Sequence, residues 1–271
     1  MADITAKMVN DLRAKTGQGM MECKKALTEV GGDMDKAMEY FRKKGVKASL
    51  AERSASEGRI VGVLADDRRG GAMVEINTNT DFTARNELVL KLAANAARLL
   101  VHNPDTDIAH AAQVNADITQ AAQTTGENVR IGKTAYLAAP EGGKVGLYLY
   151  AITGKIGVLM SFTGNPSDEL ITDVGGHIAF SRPLGLSRTE LPADIVASER
   201  ALAVEQAKAT GKPQQIAEKI AEGKLNAFFK ERALLDQDFF NAQKFKGSIT
   251  DMLKSHNVTL VKYVRMEVGQ S

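Results

Sequence analysis

Apolar positions in the opening segment recur with helical spacing and are interrupted by glycines. Ile4, Met8 and Leu12 stand four residues apart and stop before Gly17; Met20, Cys23 and Leu27 share a second face with Lys24 that ends at Gly31 and Gly32. A third set, Ala37, Met38 and Phe41, follows Asp33, a residue suited to an N-cap, and ends at Gly45. The pattern predicts three short helices in a compact bundle over residues 1–52. A core below about 70 residues supplies little stability by itself, so the bundle reads as a docking appendage of a larger body. Residues 46–58 mix small and polar side chains without a steady period, which predicts a helical tail or linker.

From Arg59 the period changes from helical to two. "RIVGVLADD" and "AMVEINTNT" flank the turn-rich "RRGG" and are expected to pair as an antiparallel hairpin. At the end of the second run, "TNTDFTARNE" turns the chain from strand into helix, with Leu88, Leu92, Ala96 and Leu99 on one face as far as His102. A less regular helical stretch follows, then the strands "NVRIGKTAYLAA", "KVGLYLYAI" and "KIGVLMSF", and a helix over 167–181. Strands followed by helix thus occur twice, which predicts an α+β fold whose core has two α+β subdomains with antiparallel sheets, over 53–140 and 141–271.

Between 192 and 233 the chain is almost wholly helical in propensity, broken at "ATGKP", where Gly211 ends one helix and Pro213 begins the next. Ile195, Leu202 and Ala209 recur every seven residues and Ile216 and Ile220 are four apart, a thin apolar seam. The prediction is a protruding antiparallel helical hairpin at about 190–233, inserted in the second subdomain, that gains stability from a partner. "ITDMLKSHN" and "TLVKYVRMEVG" supply a closing helix and strand.

Composition narrows the function. Across 271 residues, 35 Lys and Arg stand against 33 Asp and Glu, so the chain has no broad basic field of the kind phosphate backbones attract, and direct nucleic-acid binding is not expected. Cys23 is the single cysteine, which excludes an internal disulfide and fits a small buried filler in a reducing compartment. The N-terminus resembles no targeting signal and no apolar run approaches a membrane span, so a cytoplasmic protein is expected. His102, His110, His177 and His256 are not at metal-ligand spacing, and no nucleophile elbow is present; neither metal nor cofactor is expected. "GENVRIGKT" approaches a phosphate-binding loop but has one residue too many between its glycines and continues as strand instead of opening a helix.

Two stretches keep two readings each. Met20 and Met21 are consecutive, so at least one points away from the bundle core, either as ordinary packing or as a contact surface. In "TDFT", Thr80 or Asp81 can cap the next helix while Phe82 folds back as a hydrophobic staple. The other reading exposes Phe82 to a partner.

Together these stretches carry a family likeness. "LRAKTGQGMMECKKAL" and "EINTNTDFTARN" resemble the two signatures of bacterial elongation factor Ts, and the likeness continues in order through "GENV", "KIGVLM", "GHIAFSRP", "GKPQQIAEKIAEGK" and "RMEVG". The resemblance implies a UBA-like N-terminal three-helix bundle, a two-part α+β core and a helical hairpin. It also implies guanine-nucleotide exchange on the translational GTPase elongation factor Tu, without bond-making catalysis; a noncatalytic adaptor or structural protein that binds the same GTPase is the alternative. Phe82, flanked by Thr80, Asp81 and Thr83, would be wedged into the GTPase and dislodge its Mg²⁺, while Arg13, Met20 and Met21 would contact its nucleotide domain. His177 matches a family histidine, with Asp173 at its partner position, and is a further candidate contact. Tyr150 stands nearest a place where many members carry histidine, and the C-terminal module of longer members is expected to be absent or very short. Self-association is compatible with all of this.

Overall fold

The computed structural model describes residues 4–16, 18–43, 53–209, 211 and 213–270; the expected helix end at Gly45 and most of the 46–58 linker lie outside the described residues. Helices α1 (Ala6–Thr16), α2 (Met20–Glu29) and α3 (Met34–Lys43) form the bundle. Leu12, Cys23, Ala26, Leu27 and Ala37 are fully buried between them. Gly31 and Gly32, at φ 68° and 87°, make the left-handed turn that ends α2, a backbone shape costly for side chains with a Cβ. Asp33 Oδ1 then accepts the Lys36 N–H at 3.0 Å and starts α3.

The core has two antiparallel three-stranded sheets. The first, in order β1-β2-β3, contains β1 (Glu57–Leu64), β2 (Gly70–Thr78) and β3 (Arg130–Ala138); the second, in order β4-β5-β6, contains β4 (Lys144–Leu149), β5 (Ile156–Thr163) and β6 (Thr259–Glu267). The fold is therefore α+β. Between β2 and β3 lie the single-turn α4 (Asp81–Ala84), α5 (Glu87–His102) and α6 (Ala112–Thr125). Between β5 and β6 lie α7 (Asp168–Ser181), α8 (Ala193–Lys208), α9 (Gln214–Arg232) and α10 (Ile249–Ser255).

Strands β1 and β2 pair antiparallel as expected, and all nine residues of β2 are buried. The reason is its central place. Ala72 and Val74 pack on Ala96 and Leu100 of α5, and Ile76 packs on Val89 and Leu92. Met73, on the opposite face, meets Val145 and Leu159 of the second sheet. The second sheet mirrors this, with Val158, Met160 and Phe162 turned toward α7 and α10. The layers run helix, sheet, sheet, helix. Close contact between the sheets depends on Gly157, where a Cβ would stand 2.7 Å from Ile60 Cγ2 and 2.8 Å from Met73 Sδ.

Helices α8 and α9 pair as the expected antiparallel hairpin, with Gly211 at φ 68° in the turn. The seam differs from the expected one. Ala203, Ala207, Ala217 and Ala221 fill it, with Ile220 at its side, whereas Leu202 and Ile216 are exposed. Small side chains let the helix axes approach, and the larger residues are turned outward. At the foot of the hairpin the Leu184 N–H donates to Arg232 O at 2.9 Å and the Leu234 N–H to Gly185 O at 3.0 Å, which anchors the arm beside fully buried Ala233 and Leu234.

Candidate functional site

The backbone of the corner after β2 is fixed by side-chain hydrogen bonds. Thr78 is fully buried and donates its hydroxyl to Thr80 O at 2.7 Å. Thr80 is extended, at φ −124° and ψ 156°, and its Oγ1 accepts the Thr83 N–H at 3.3 Å, so Thr80 and not Asp81 is the N-cap of α4. The same hydroxyl donates to Glu127 Oε1 at 2.7 Å, and the Thr80 N–H donates to Glu127 Oε2 at 3.0 Å. Thr83 and Ala84 are buried beneath the turn. Asp81 faces along the helix to Arg85, 3.3 Å away. Asn86 Oδ1 then accepts the Leu88 N–H at 2.9 Å and starts α5 as a separate helix.

With its turn pinned at both ends, Phe82 does not fold back as a staple. Its side of the helix faces solvent and the residue is 82% exposed. Beside it lies an open cleft of about 560 Å³ walled by Glu57, Arg59, Thr153 and Lys155. Lys155 Nζ sits 2.6 Å from Glu57 Oε2 in that wall. The site is an apolar ring on a stiff corner with a charged rim, the anatomy of a contact surface and not of a substrate pocket.

A family model described as "Elongation factor TS" matches residues 79–270. The curated elongation factor Ts of Thiobacillus denitrificans is 39% identical over 279 aligned positions that span 100% of this chain and 93% of that protein. That of an Azoarcus species is 40% identical, with 100% and 92% covered, and that of Alkalilimnicola ehrlichii 36% identical, with 98% and 92% covered. The chain belongs to the elongation factor Ts family.

The remaining candidate residues fall in two other places. Met20 and Met21 open α2, and both are exposed, Met21 at 76%; Arg13 is half-buried on α1. Cys23 next to them is buried, its thiol 3.7 Å from both Thr16 Oγ1 and Gln18 O, and burial pushes its pKa up, which keeps it an unreactive filler.

His177 is inside the second half of the core at 2% exposure, so its ring offers a partner no direct surface. Nor does it meet Asp173, whose carboxylate binds Lys244 at 2.6 Å. Instead the Phe240 N–H donates to His177 Nδ1 at 3.3 Å, which assigns the ring proton to Nε2, 2.9 Å from Gln237 Oε1. Gln237 Nε2 donates in turn to Glu231 O at 2.6 Å, near the end of α9. Burial pushes the imidazole pKa below its ordinary value, against a smaller opposing effect of the Gln237 bond. The chemistry available to His177 is to hold Phe240, itself exposed, and the foot of the arm.

"GENVRIGKT" forms no phosphate cradle: Gly126 is the left-handed C-cap of α6, and 130–138 is paired as β3 along β2. Among the described residues no group of three or more His, Cys, Asp or Glu is placed to hold a metal ion, and no helix is long and apolar enough to cross a membrane. Sequence reading missed Glu127, Arg59 and Lys155 at the corner. Their contacts join residues far apart in the chain, and no local period signals them. Tyr150, for its part, closes the β4–β5 turn and packs edge-on against Phe180, with ring centroids 5.0 Å apart.

Proposed function

We propose that the chain is the guanine-nucleotide exchange factor of elongation factor Tu and that Phe82 is the group it inserts into the GTPase to disturb the Mg²⁺ site. The observation that carries this reading is the exposed ring on a turn whose backbone is held on both sides. A soluble domain gains nothing from holding a benzyl group rigidly in water. A partner with a matching slot does.

The energetics favour a distributed mechanism. A GTPase that holds GDP at about nanomolar Kd has about 12 kcal/mol of binding free energy, so release must be assisted. Mg²⁺ demands near-octahedral oxygen ligands and loses much of its hold when they are displaced. A thousandfold faster release needs about 4 kcal/mol, whereas burying one Phe supplies about 1.5–3 kcal/mol. Other surfaces must add the difference, and exposed Met20 and Met21 with Arg13 on the N-terminal bundle are suited to supply it. Because coupling is reciprocal, whatever the factor takes from nucleotide affinity, nucleotide takes from the factor's affinity. Arrival of GTP thereby ejects the factor, and no group on this chain makes or breaks a bond.

The test is release of fluorescent GDP from elongation factor Tu, with capture of the nucleotide-free GTPase in parallel. Exchange predicts a steep acceleration and a complex that added GDP dissolves. A complex that forms without accelerating release, and resists GDP, would establish the noncatalytic adaptor instead.

A further inference from the structure

We propose that Glu127 is the positioning residue that aims Phe82, and that the exchange factor's maximal rate depends on it although it stands behind the wedge and not on its tip. The inference rests on the reading of Phe82 given above. Its basis is one carboxylate that takes two donors of the same residue: the Thr80 N–H at Oε2, 3.0 Å, and the Thr80 hydroxyl at Oε1, 2.7 Å. Charged acceptors form the stronger hydrogen bonds, and two on one residue fix orientation as well as distance. Since Thr80 Oγ1 also accepts the Thr83 N–H, the brace passes directly into the turn that carries Phe82.

Glu127 is itself held. Gly126 before it is the left-handed cap of α6 at φ 69°. After it, the Asn128 N–H donates to Asn79 Oδ1 at 2.8 Å, Asn128 Nδ2 donates to Arg53 O at 2.8 Å, and Val129 is buried. A four-residue helix is far too short to hold its own shape, because nucleation is costly and its first N–H groups lack partners. Something outside the helix must define its direction. On the β2 side Thr78 does this from within the core, and on the other side Glu127 does it from 47 residues away. Thr80 is solvent-exposed, so water replaces the carboxylate when Glu127 is removed. The fold then loses little and the aim of the ring loses much.

Glu127→Ala, Glu127→Gln, Phe82→Ala and the Phe82→Ala/Glu127→Ala double variant are compared by stopped-flow release of fluorescent GDP from elongation factor Tu over a range of factor concentrations. Glu127→Ala is expected to lower the maximal rate about tenfold while the half-saturating concentration moves less than about twofold, the signature of a lost alignment and not of lost docking. Glu127→Gln restores most of the rate, because its oxygen still accepts the Thr80 N–H and its amide donates to Thr80 Oγ1. The double variant is no slower than Phe82→Ala alone. Amide exchange by NMR should find the Thr80 N–H protected in the wild type and open in Glu127→Ala, a readout that needs no GTPase.

A wild-type maximal rate in Glu127→Ala beside an impaired Phe82→Ala would overturn the inference and leave the wedge standing. Equal fractional losses in both backgrounds would also overturn it, since Glu127 would then act independently of the ring. A wild-type rate in Phe82→Ala removes the wedge and this inference together.

Discussion

Truncating Phe82 to Ala should separate stability from activity. The residue is 82% exposed, so most of its surface is free to be buried by a partner and little is committed to the protein's own packing. Scaling the about 1.5–3 kcal/mol of full Phe burial by that exposed share leaves about 1.2–2.5 kcal/mol for the complex and about 0.3–0.5 kcal/mol for the fold. At about 1.4 kcal/mol per factor of ten, exchange should slow by roughly sevenfold to sixtyfold. The melting temperature should move by only about 1–2 °C, given about 2–4 °C per kcal/mol for a domain of this size. Stopped-flow release of fluorescent GDP measures the first quantity and circular dichroism melting the second, with Phe82→Leu expected between Ala and wild type. A fall of more than about 5 °C in the melting temperature would mean that the ring is packed at home, and unchanged exchange would mean that it is idle in the complex. Either result refutes the reasoning.

Further expectations follow from the second half of the core and from the bundle. Burial holds the His177 imidazole below its ordinary pKa of 6.5, so the unfolded chain takes up the proton first as pH falls. The stability it contributes is complete above about 6.5 and is lost as pH drops through the lower folded-state value. Urea midpoints at pH 7.5 and 5.5 should show this loss, and His177→Gln should show less of it; an unchanged slope refutes the assignment. Replacing 193–231 by a short Gly-Ser bridge should leave one cooperative core transition, because the alanine seam is a cluster of its own while Ala233 and Leu234 stay in the core. Loss of that transition would show that the arm is part of the core. Met21→Ala should weaken capture of the nucleotide-free GTPase severalfold with no change in melting temperature, as measured by titration calorimetry.

Much of the fold was legible because its signals are local. Two-residue alternation marked the strands, and Gly31, Gly32, Gly211 and Pro213 punctuated the helices where the backbone demanded it. The corner was also legible as a corner, since "TNTDFTARNE" changes period in its middle. What stayed hidden depends on distant contacts. The period of β2 could not reveal that its polar residues would be buried: the Glu75 carboxylate is satisfied by Asn77 Nδ2 at 2.7 Å and by the Gly269 N–H at 3.2 Å, near the far end of the chain. The seven-residue spacing of Ile195, Leu202 and Ala209 pointed to a thin apolar seam along those positions, and alanines at other positions took the place because they let the helices approach closely. His177 looked like a surface candidate by its motif, while its burial is set by Gln237 and Phe240, which no spacing ties to it.

The two sheets share one core: Ile60, Met73 and Leu137 from the first interlock with Val145, Leu159 and Met266 from the second. Ser161 Oγ adds a bond to Ala138 O at 2.8 Å and Arg68 an ion pair to Asp168. A body fused in this way has low compliance, so load applied at one corner is not dissipated by slippage between its halves. If Phe82 is driven into a more compliant partner, as proposed above, deformation should concentrate in that softer body. On that reading the stiffness of the anvil, as much as the shape of its edge, would decide which molecule yields.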